Sequence, residues 1–249
     1  MSRGRLQGVM QIVRFNWPFY AIAPLVVIAA GVLAMRLSGA TRVVMLIGAA
    51  AAAWWIIASL VVSYWVYDLS ALRGWKWIRQ TLKSPPGSWL NLHATIDEST
   101  ATLQSLFPDS VGRSLDFFDA DVMTEPSIRR ARRLAHNAQP SERANFRCLP
   151  AGDASQDAAF MLLSAHELRR HEDRVALLRE VRRVVSTAGR IIVAEHLRDL
   201  ANFLAFGPGF VHFHSRRTWL RAFADAGLAV ESNFRITPFI AVFVLRRSS

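Results

Sequence analysis

Residues 157–166 read Asp157-Ala-Ala-Phe-Met-Leu-Leu-Ser-Ala-His166. A helical stretch ending Leu178-Arg-Glu-Val-Arg-Arg-Val-Val185 follows, and then Thr187-Ala-Gly-Arg-Ile-Ile-Val-Ala-Glu195. Two short apolar runs that end in polar residues and flank an amphipathic helix are the pattern of buried parallel strands joined by a crossover. Working outward, further strands are expected at Trp89–His93, Ser114–Phe118, Ala229–Ile236 and Phe239–Leu245. The two quoted runs give strands at Ala158–Ser164 and Arg190–Glu195. Helices are expected near Ser99–Phe107, Pro126–Ala135, His171–Val185 and Ser215–Ala226. Thr124 and Pro126 mark the start of the second helix, and Gly189 marks the stop after the third. Such alternation predicts a mostly parallel sheet covered by helices on both faces. Only Thr237-Pro238 separates the last two strands, so they should close the sheet as an antiparallel hairpin.

The first third of the chain is of a different kind. Between Arg14 and Arg36 lie 21 uncharged residues, and Val43–Tyr67 supplies 25 more. About 20 apolar residues in a helix cross a hydrocarbon core of about 30 Å. Both runs are long enough, Pro24 is tolerated as a kink, and Trp17, Tyr20, Trp54, Trp55, Tyr64, Trp65 and Tyr67 suit an interfacial belt. A cleaved signal is disfavoured because a second apolar span follows the first so closely. Residues 1–84 are therefore expected to form a membrane hairpin, with spans about 16–35 and 43–67, plus a linker. Residues 85–249 are expected to form the α/β domain, with Ser84-Pro-Pro-Gly87 at the boundary. Trp75-Lys-Trp-Ile-Arg-Gln-Thr-Leu-Lys83 reads as an interfacial helix. Arg3, Arg5 and Arg14 before the first span, and Arg73, Lys76, Arg79 and Lys83 after the second, place both termini in the cytoplasm. A bacterial inner membrane suits this two-span, multi-pass arrangement.

Composition agrees. The chain has 249 residues, 52% of them apolar, a mean hydropathy of +0.20 and a net charge of +11. That excludes a disordered chain, and a single Cys excludes a disulfide scaffold or a cysteine-based metal cluster. The basic excess, almost all Arg, fits an anionic lipid surface better than nucleic acid, which is not expected as a partner. The cluster Arg129-Arg-Ala-Arg-Arg133 reads as a solvated helix face or a headgroup contact.

The quoted strand–helix–strand run resembles the fourth and fifth strands of class I S-adenosylmethionine-dependent methyltransferases. Phe223-Ala-Asp-Ala-Gly-Leu228 and the closing hairpin are similar to that family's end, so the resemblance covers roughly residues 88–245. It implies a Rossmann-like sheet, S-adenosylmethionine as cofactor, and methyl transfer at the carboxyl ends of the strands. It also implies a cofactor-binding set: Asn91, His93 and Ala94 in the first loop, Asp116 or Asp119 on the ribose, Leu149 near the adenine, and Ser164 and Ala165 after the fourth strand. The first loop departs from the family pattern, because Asn91-Leu-His-Ala-Thr-Ile-Asp-Glu-Ser-Thr100 contains no glycine. The same loop therefore also fits a domain that has lost its cofactor and serves as a membrane-tethered binding module.

His166, Glu195 and His196 are candidate catalytic groups, and Asn202, His212 and His214 candidate substrate contacts. No metal site is expected. His166-Glu-Leu-Arg-Arg-His171 resembles a zinc-protease helix, but its histidines are five apart and so about 140° apart on a helix. His212-Phe-His214 lacks a visible further ligand. Phe203, Phe206, Phe210 and Phe213 around Gly207-Pro-Gly209 suit a lid touching lipid. The expected function is methylation of a small or lipid-like acceptor at the cytoplasmic face of a lipid bilayer.

Overall fold

The computed structural model describes residues 4, 6–134 and 141–248. Arg3, Arg5 and Ala135, used in the sequence reading, lie outside them. The chain opens with helices α1 (Gln7–Phe15), α2 (Trp17–Ala34) and α3 (Gly39–Tyr64). A π turn (Trp65–Leu69), a 3-10 turn (Ala71–Gly74) and α4 (Ile78–Thr81) lead into the sheet. There follow β1 (Ser88–His93), α5 (Thr100–Leu106), β2 (Val111–Asp116), α6 (Pro126–Leu134), β3 (Glu142–Arg143), β4 (Gln156–Leu162), α7 (His171–Val184) and β5 (Val185–His196). The chain closes with α8 (Leu200–Phe206), α9 (Arg216–Asp225), β6 (Leu228–Thr237) and β7 (Ile240–Arg247).

The seven strands form one sheet in the order β3-β2-β1-β4-β5-β7-β6. The pairs among β1 to β5 are parallel, and β7 runs antiparallel to both β5 and β6. The α/β class, the parallel sheet and the closing hairpin are as the sequence implied. Alternate side chains go to opposite faces. Leu90, Leu92, Ala159, Met161, Ile191 and Val193 join α7 and α9 in one core, while Trp89, Ala158, Phe160, Ile192 and Ala194 join α5 in the other. A sheet buried on both faces explains why its strands read as apolar runs.

The second core also contains Val66, Leu72, Trp75, Trp77 and Ile78, just beyond α3. Trp75 and Trp77 are buried in it rather than lying on a lipid surface as the expected interfacial helix required; Lys76 and Arg79 stay exposed. The sheet face beside β4 and β5 offers those rings more apolar contact than an interface would.

Helices α2 and α3 are long and apolar enough to cross a membrane by length and composition. Their Ile22, Leu25, Val26, Ile28, Val44, Ile47, Ile57 and Val61 are exposed. At the other end of α3, the Asp68 carboxylate accepts 2.8 Å hydrogen bonds from the Gly8 and Val9 amides and so caps α1. A Cβ on Gly8 would lie 2.5 Å from Tyr67 Cβ, so only glycine permits this approach.

Three local expectations are corrected. The second strand lies at Val111–Asp116, because pairing with β1 sets it, and the Gly112-Arg113-Ser114 stretch after Val111 carries no apolar run. Gly189 does not stop α7, which ends at Val184; it lies inside β5, where a Cβ would sit 2.7 Å from the Asp157 carbonyl. Helix α8, with Asp199 accepting from Asn202 N at its cap, was not foreseen.

Candidate functional site

The crevice of such a sheet lies where strand order reverses, between the carboxyl ends of β1 and β4. On the β1 side the glycine-free turn is held by a buried carboxylate. Asp97 Oδ1 accepts from Asn91 Nδ2 (3.1 Å), Ser99 N (3.2 Å) and Thr100 N (2.9 Å), and Oδ2 accepts from the Ser114 hydroxyl. Burial opposes ionisation of Asp97, but these donors outweigh it and hold its pKa below the usual value. Asn91 gives its amide to Asp97 and to Thr100 Oγ1 (2.8 Å), so it shapes the turn. His93 is different: it is buried at the tip of β1, and neither ring nitrogen has a hydrogen-bond partner among the described residues. Burial pushes its pKa down, leaving a neutral ring.

The two candidate ribose carboxylates now separate. Asp119 Oδ1 accepts from Asp121 N (2.9 Å) and forms a turn. Asp116 ends β2 beside His93, but it is engaged: Arg132 of α6 donates to both of its oxygens, at 3.0 and 2.8 Å. Arg132 also donates to the Ala94 carbonyl (2.9 Å), and its guanidinium lies 4.0 Å from the Phe118 ring centre. The neighbouring Arg130 donates to the Phe15 carbonyl at the end of α1. Two arginines expected on a solvated face thus tie α6 to the crevice and to α1, while Arg129 and Arg133 are exposed. Leu149 is packed in the first core, with its amide on Glu180 Oε2. Ser164 Oγ donates to the Leu92 carbonyl (2.8 Å), linking the tips of β4 and β1.

Glu195 and His196 are adjacent but point to opposite faces, as strand pleating requires. The Glu195 side chain, fully buried, turns toward the loop after β4. There its Oε1 accepts from the amides of Ala165 (2.9 Å) and His166 (3.2 Å), and its Oε2 meets His166 Nδ1 at 2.7 Å. Burial lowers the basicity of His166, but Glu195, by charge and hydrogen bond, and Glu167 by charge, more than restore it, to a pKa of about 9. The His212 ring stands edge-on to His166 at 5.1 Å, and its Nδ1 is 2.8 Å from Glu125 Oε2. Arg169 braces this group through Glu125 and the His212 carbonyl. His166, Glu195, Glu167, His212, Glu125 and Arg169 therefore form one cluster at the carboxyl ends of β4 and β5.

His196, Asn202 and His214 do not join it. His196 is buried on the side facing the segment after α3, with Nδ1 on Asn202 Oδ1 (3.0 Å), Nε2 on the Tyr67 hydroxyl (2.8 Å) and its ring stacked on Phe213. Burial holds it neutral, its pKa pushed down to about 4. The Asn202 amide donates to Asp199 Oδ1 and the Phe239 carbonyl, leaving nothing for a ligand. His214 Nε2 accepts from Arg174 (2.9 Å), and burial, with that cation, lowers its pKa to about 3. These three hold the fold together, because each is buried and hydrogen-bonded to a neighbouring side chain.

Glu125, Glu167, Asp97 and Arg132 were not foreseen as site residues. Glu125 had a local signal, but as part of a helix start, and the Arg132 signal was that of a surface cluster. The aromatic segment was foreseen, and it docks on α3: Trp55 Nε1 donates to the Phe203 carbonyl and Trp54 Nε1 to that of Leu204, both at 3.1 Å. Gly207, at φ +55°, passes so close that a Cβ would meet the Trp55 ring at 2.7 Å.

Residues 116–193 match the sequence profile of a family described as a methyltransferase domain. A search of curated protein sequences finds no match. Among solved structures, the chain is similar to a SAM-dependent methyltransferase from Aquifex aeolicus (15% identity, TM-score 0.54, covering 73% of this chain and 92% of that one). It is also similar to the geranyl diphosphate C-methyltransferase of Streptomyces coelicolor A3(2) (17%, 0.52, 76% and 82%). For the mitomycin 7-O-methyltransferase MmcR the values are 15%, 0.56, 99% and 74%. At these identities the likeness is one of fold: the sheet is that of SAM-dependent methyltransferases.

Proposed function

We propose that this chain is a membrane-anchored methyltransferase using S-adenosylmethionine on a small or lipid-like acceptor at the cytoplasmic face. The observation that carries the reading is the strand order, with an acidic residue at the tip of β2 and the Glu195–His166 pair across the crevice. The cofactor supplies a methyl group already activated by a sulfonium charge. Asp116 has the chemistry to accept two ribose hydroxyls, and the His93 ring, which makes no hydrogen bond and has only Asp97 Oδ2 at 3.9 Å, offers a polar atom in a buried place beside it. The residues present therefore fit such a nucleoside once Arg132 releases Asp116. Ala94 and Ala165 are packed in the core beneath these strand ends, and Ser164 fixes the gap between β1 and β4.

On the acceptor side, Glu195 fixes the His166 ring so that Nε2 faces Glu167 and His212. A His166 that takes the acceptor's proton must first lose its own, so the rate should rise toward pH 9. The anchor reading draws on the exposed apolar faces of α2 and α3 and on the basic residues around both spans. Leu200, Leu204 and Val211 extend the same exposed apolar surface from the aromatic segment that Trp54 and Trp55 hold, which favours an acceptor reached from the bilayer. The structure of the Streptomyces coelicolor enzyme holds geranyl diphosphate and S-adenosyl-L-homocysteine, an isoprenoid acceptor of this kind.

Calorimetry with S-adenosylmethionine on the detergent-solubilised chain tests the proposal. In the Arg132→Met background, where no pair has to be displaced, Asp116→Ala should weaken binding by about 1–3 kcal/mol, and Asp119→Ala should leave it unchanged. The Asp97-filled turn and the Arg132–Asp116 pair favour a second reading, a binding module that has given up catalysis. No heat and no thermal shift at millimolar cofactor, in the wild type and in Arg132→Met, would leave only that reading.

A further inference from the structure

We propose that His166, Glu167 and His212 hold one divalent transition-metal ion. One donor atom from each side chain lies within 4.8 Å of the others. His166 Nε2 and Glu167 Oε1 are 3.6 Å apart, close to the roughly 3.4 Å between two donors about 2.1 Å from a tetrahedral ion. Both histidines are oriented as metal ligands are: Nδ1 of each meets a carboxylate, Glu195 for His166 at 2.7 Å and Glu125 for His212 at 2.8 Å. A carboxylate there fixes the ring, sets the tautomer and leaves Nε2 as the free lone pair. The Glu195 carboxylate is itself locked by two backbone amides.

Charge points the same way. Three carboxylates (Glu125, Glu167 and Glu195) face two imidazoles and one guanidinium, Arg169; with both rings neutral, as metal ligands must be, two negative charges remain, which one divalent ion balances in place of ring protons. His166 and Glu167 are about a tenth exposed and His212 about a quarter, which leaves an approach from solvent and room for a further ligand. Two imidazoles and one carboxylate suit Zn²⁺, Fe²⁺, Co²⁺ or Mn²⁺ rather than Ca²⁺. The further ligands that the sequence could not supply for His212 are His166 and Glu167, to which the turn after α8 brings it, while His171 of the rejected helical motif pairs with Asp225 elsewhere. With the ion bound, His166 Nε2 is a ligand, and an acceptor oxygen would be activated by the ion instead. Ion binding is measured without cofactor, so this inference stands or falls apart from the methyl-transfer reading.

The test is titration of the untagged, chelator-stripped full chain in detergent with Co²⁺ alone, followed by calorimetry and visible absorption, with Zn²⁺ as competitor. One ion per chain is expected, with a ligand-field band that Zn²⁺ abolishes. His212→Ala and Glu167→Gln should abolish saturable binding, and Glu125→Gln should weaken it about 10–100-fold. His171→Ala should change nothing. His212 is part-exposed, so its variant is the one expected to stay folded, which circular dichroism checks; the wild-type titration needs no variant. Absence of saturable binding at millimolar Co²⁺ would show that protons alone balance the carboxylates, and binding undiminished in folded His212→Ala would show that the ion sits elsewhere; either result overturns the proposal.

Discussion

Arg132→Met is the most informative single change. It keeps an apolar stem over Phe118 and removes the guanidinium that holds both Asp116 oxygens and the Ala94 carbonyl. Hydrogen bonds to a charged group contribute about 1.5–3 kcal/mol, whereas exposed ion pairs contribute about 0–1. The pair is 23% exposed on the Arg132 side and 12% on the Asp116 side. It therefore belongs in the lower part of the charged-group range, at about 2 kcal/mol. A nucleoside that needs Asp116 must displace that interaction. Removing it should tighten S-adenosylmethionine binding about 30-fold, at 1.4 kcal/mol per factor of ten. The fold should lose somewhat less than the pair is worth, since Asp116 Oδ1 keeps the Phe118 amide at 3.1 Å. Calorimetry on wild type, Arg132→Met, and Arg132→Met with Asp116→Ala gives the sign directly. Weaker or unchanged binding in a folded Arg132→Met protein refutes the reasoning, because an arginine that helps hold the cofactor would act in that direction.

Acid should destabilise the chain through two buried histidines. His196 and His214 are neutral when folded, with pKa values near 4 and 3, so the stability they confer is full above their unfolded value near 6.5. Each should cost about 1.4 kcal/mol per pH unit as the pH falls below 6.5. In the metal-free chain His166, raised to about 9, acts oppositely, its contribution being full below 6.5 and fading toward 9. Thermal melts should therefore peak near pH 6.5–7, and His196→Gln should flatten the acid side by one proton; an unaltered slope would count against the assignment. Trp55→Ala removes the Nε1 hydrogen bond to Phe203 and an edge contact at 5.4 Å, so amide exchange in residues 200–213 should speed up. Unchanged exchange there would mean that α3 does not hold the segment. Gly112→Ala would set a Cβ 2.0 Å from the ring of Trp89, which is fully buried, and should cost about 3 kcal/mol or prevent folding, read as Tm and yield.

The alternation of apolar runs with amphipathic helices determined the sheet and its closing hairpin, because strand and helix periodicities are written locally. Asp157–Leu162 and Arg190–Glu195 carry that pattern without help from elsewhere. The two long apolar helices were legible for the same reason. That Asp116 pairs with Arg132 while Asp119 accepts from Asp121 N was not, since the two differ only in that one ends a paired strand and the other closes a turn. Nor was the separation of Glu195 from His196, neighbours that pleating sends to opposite sides of the sheet. The pairings of Arg132 with Asp116, of His212 with Glu125 and of Trp55 with Phe203 join distant segments. No local pattern encodes such contacts; they exist because two buried faces fix where the loops between strands must meet.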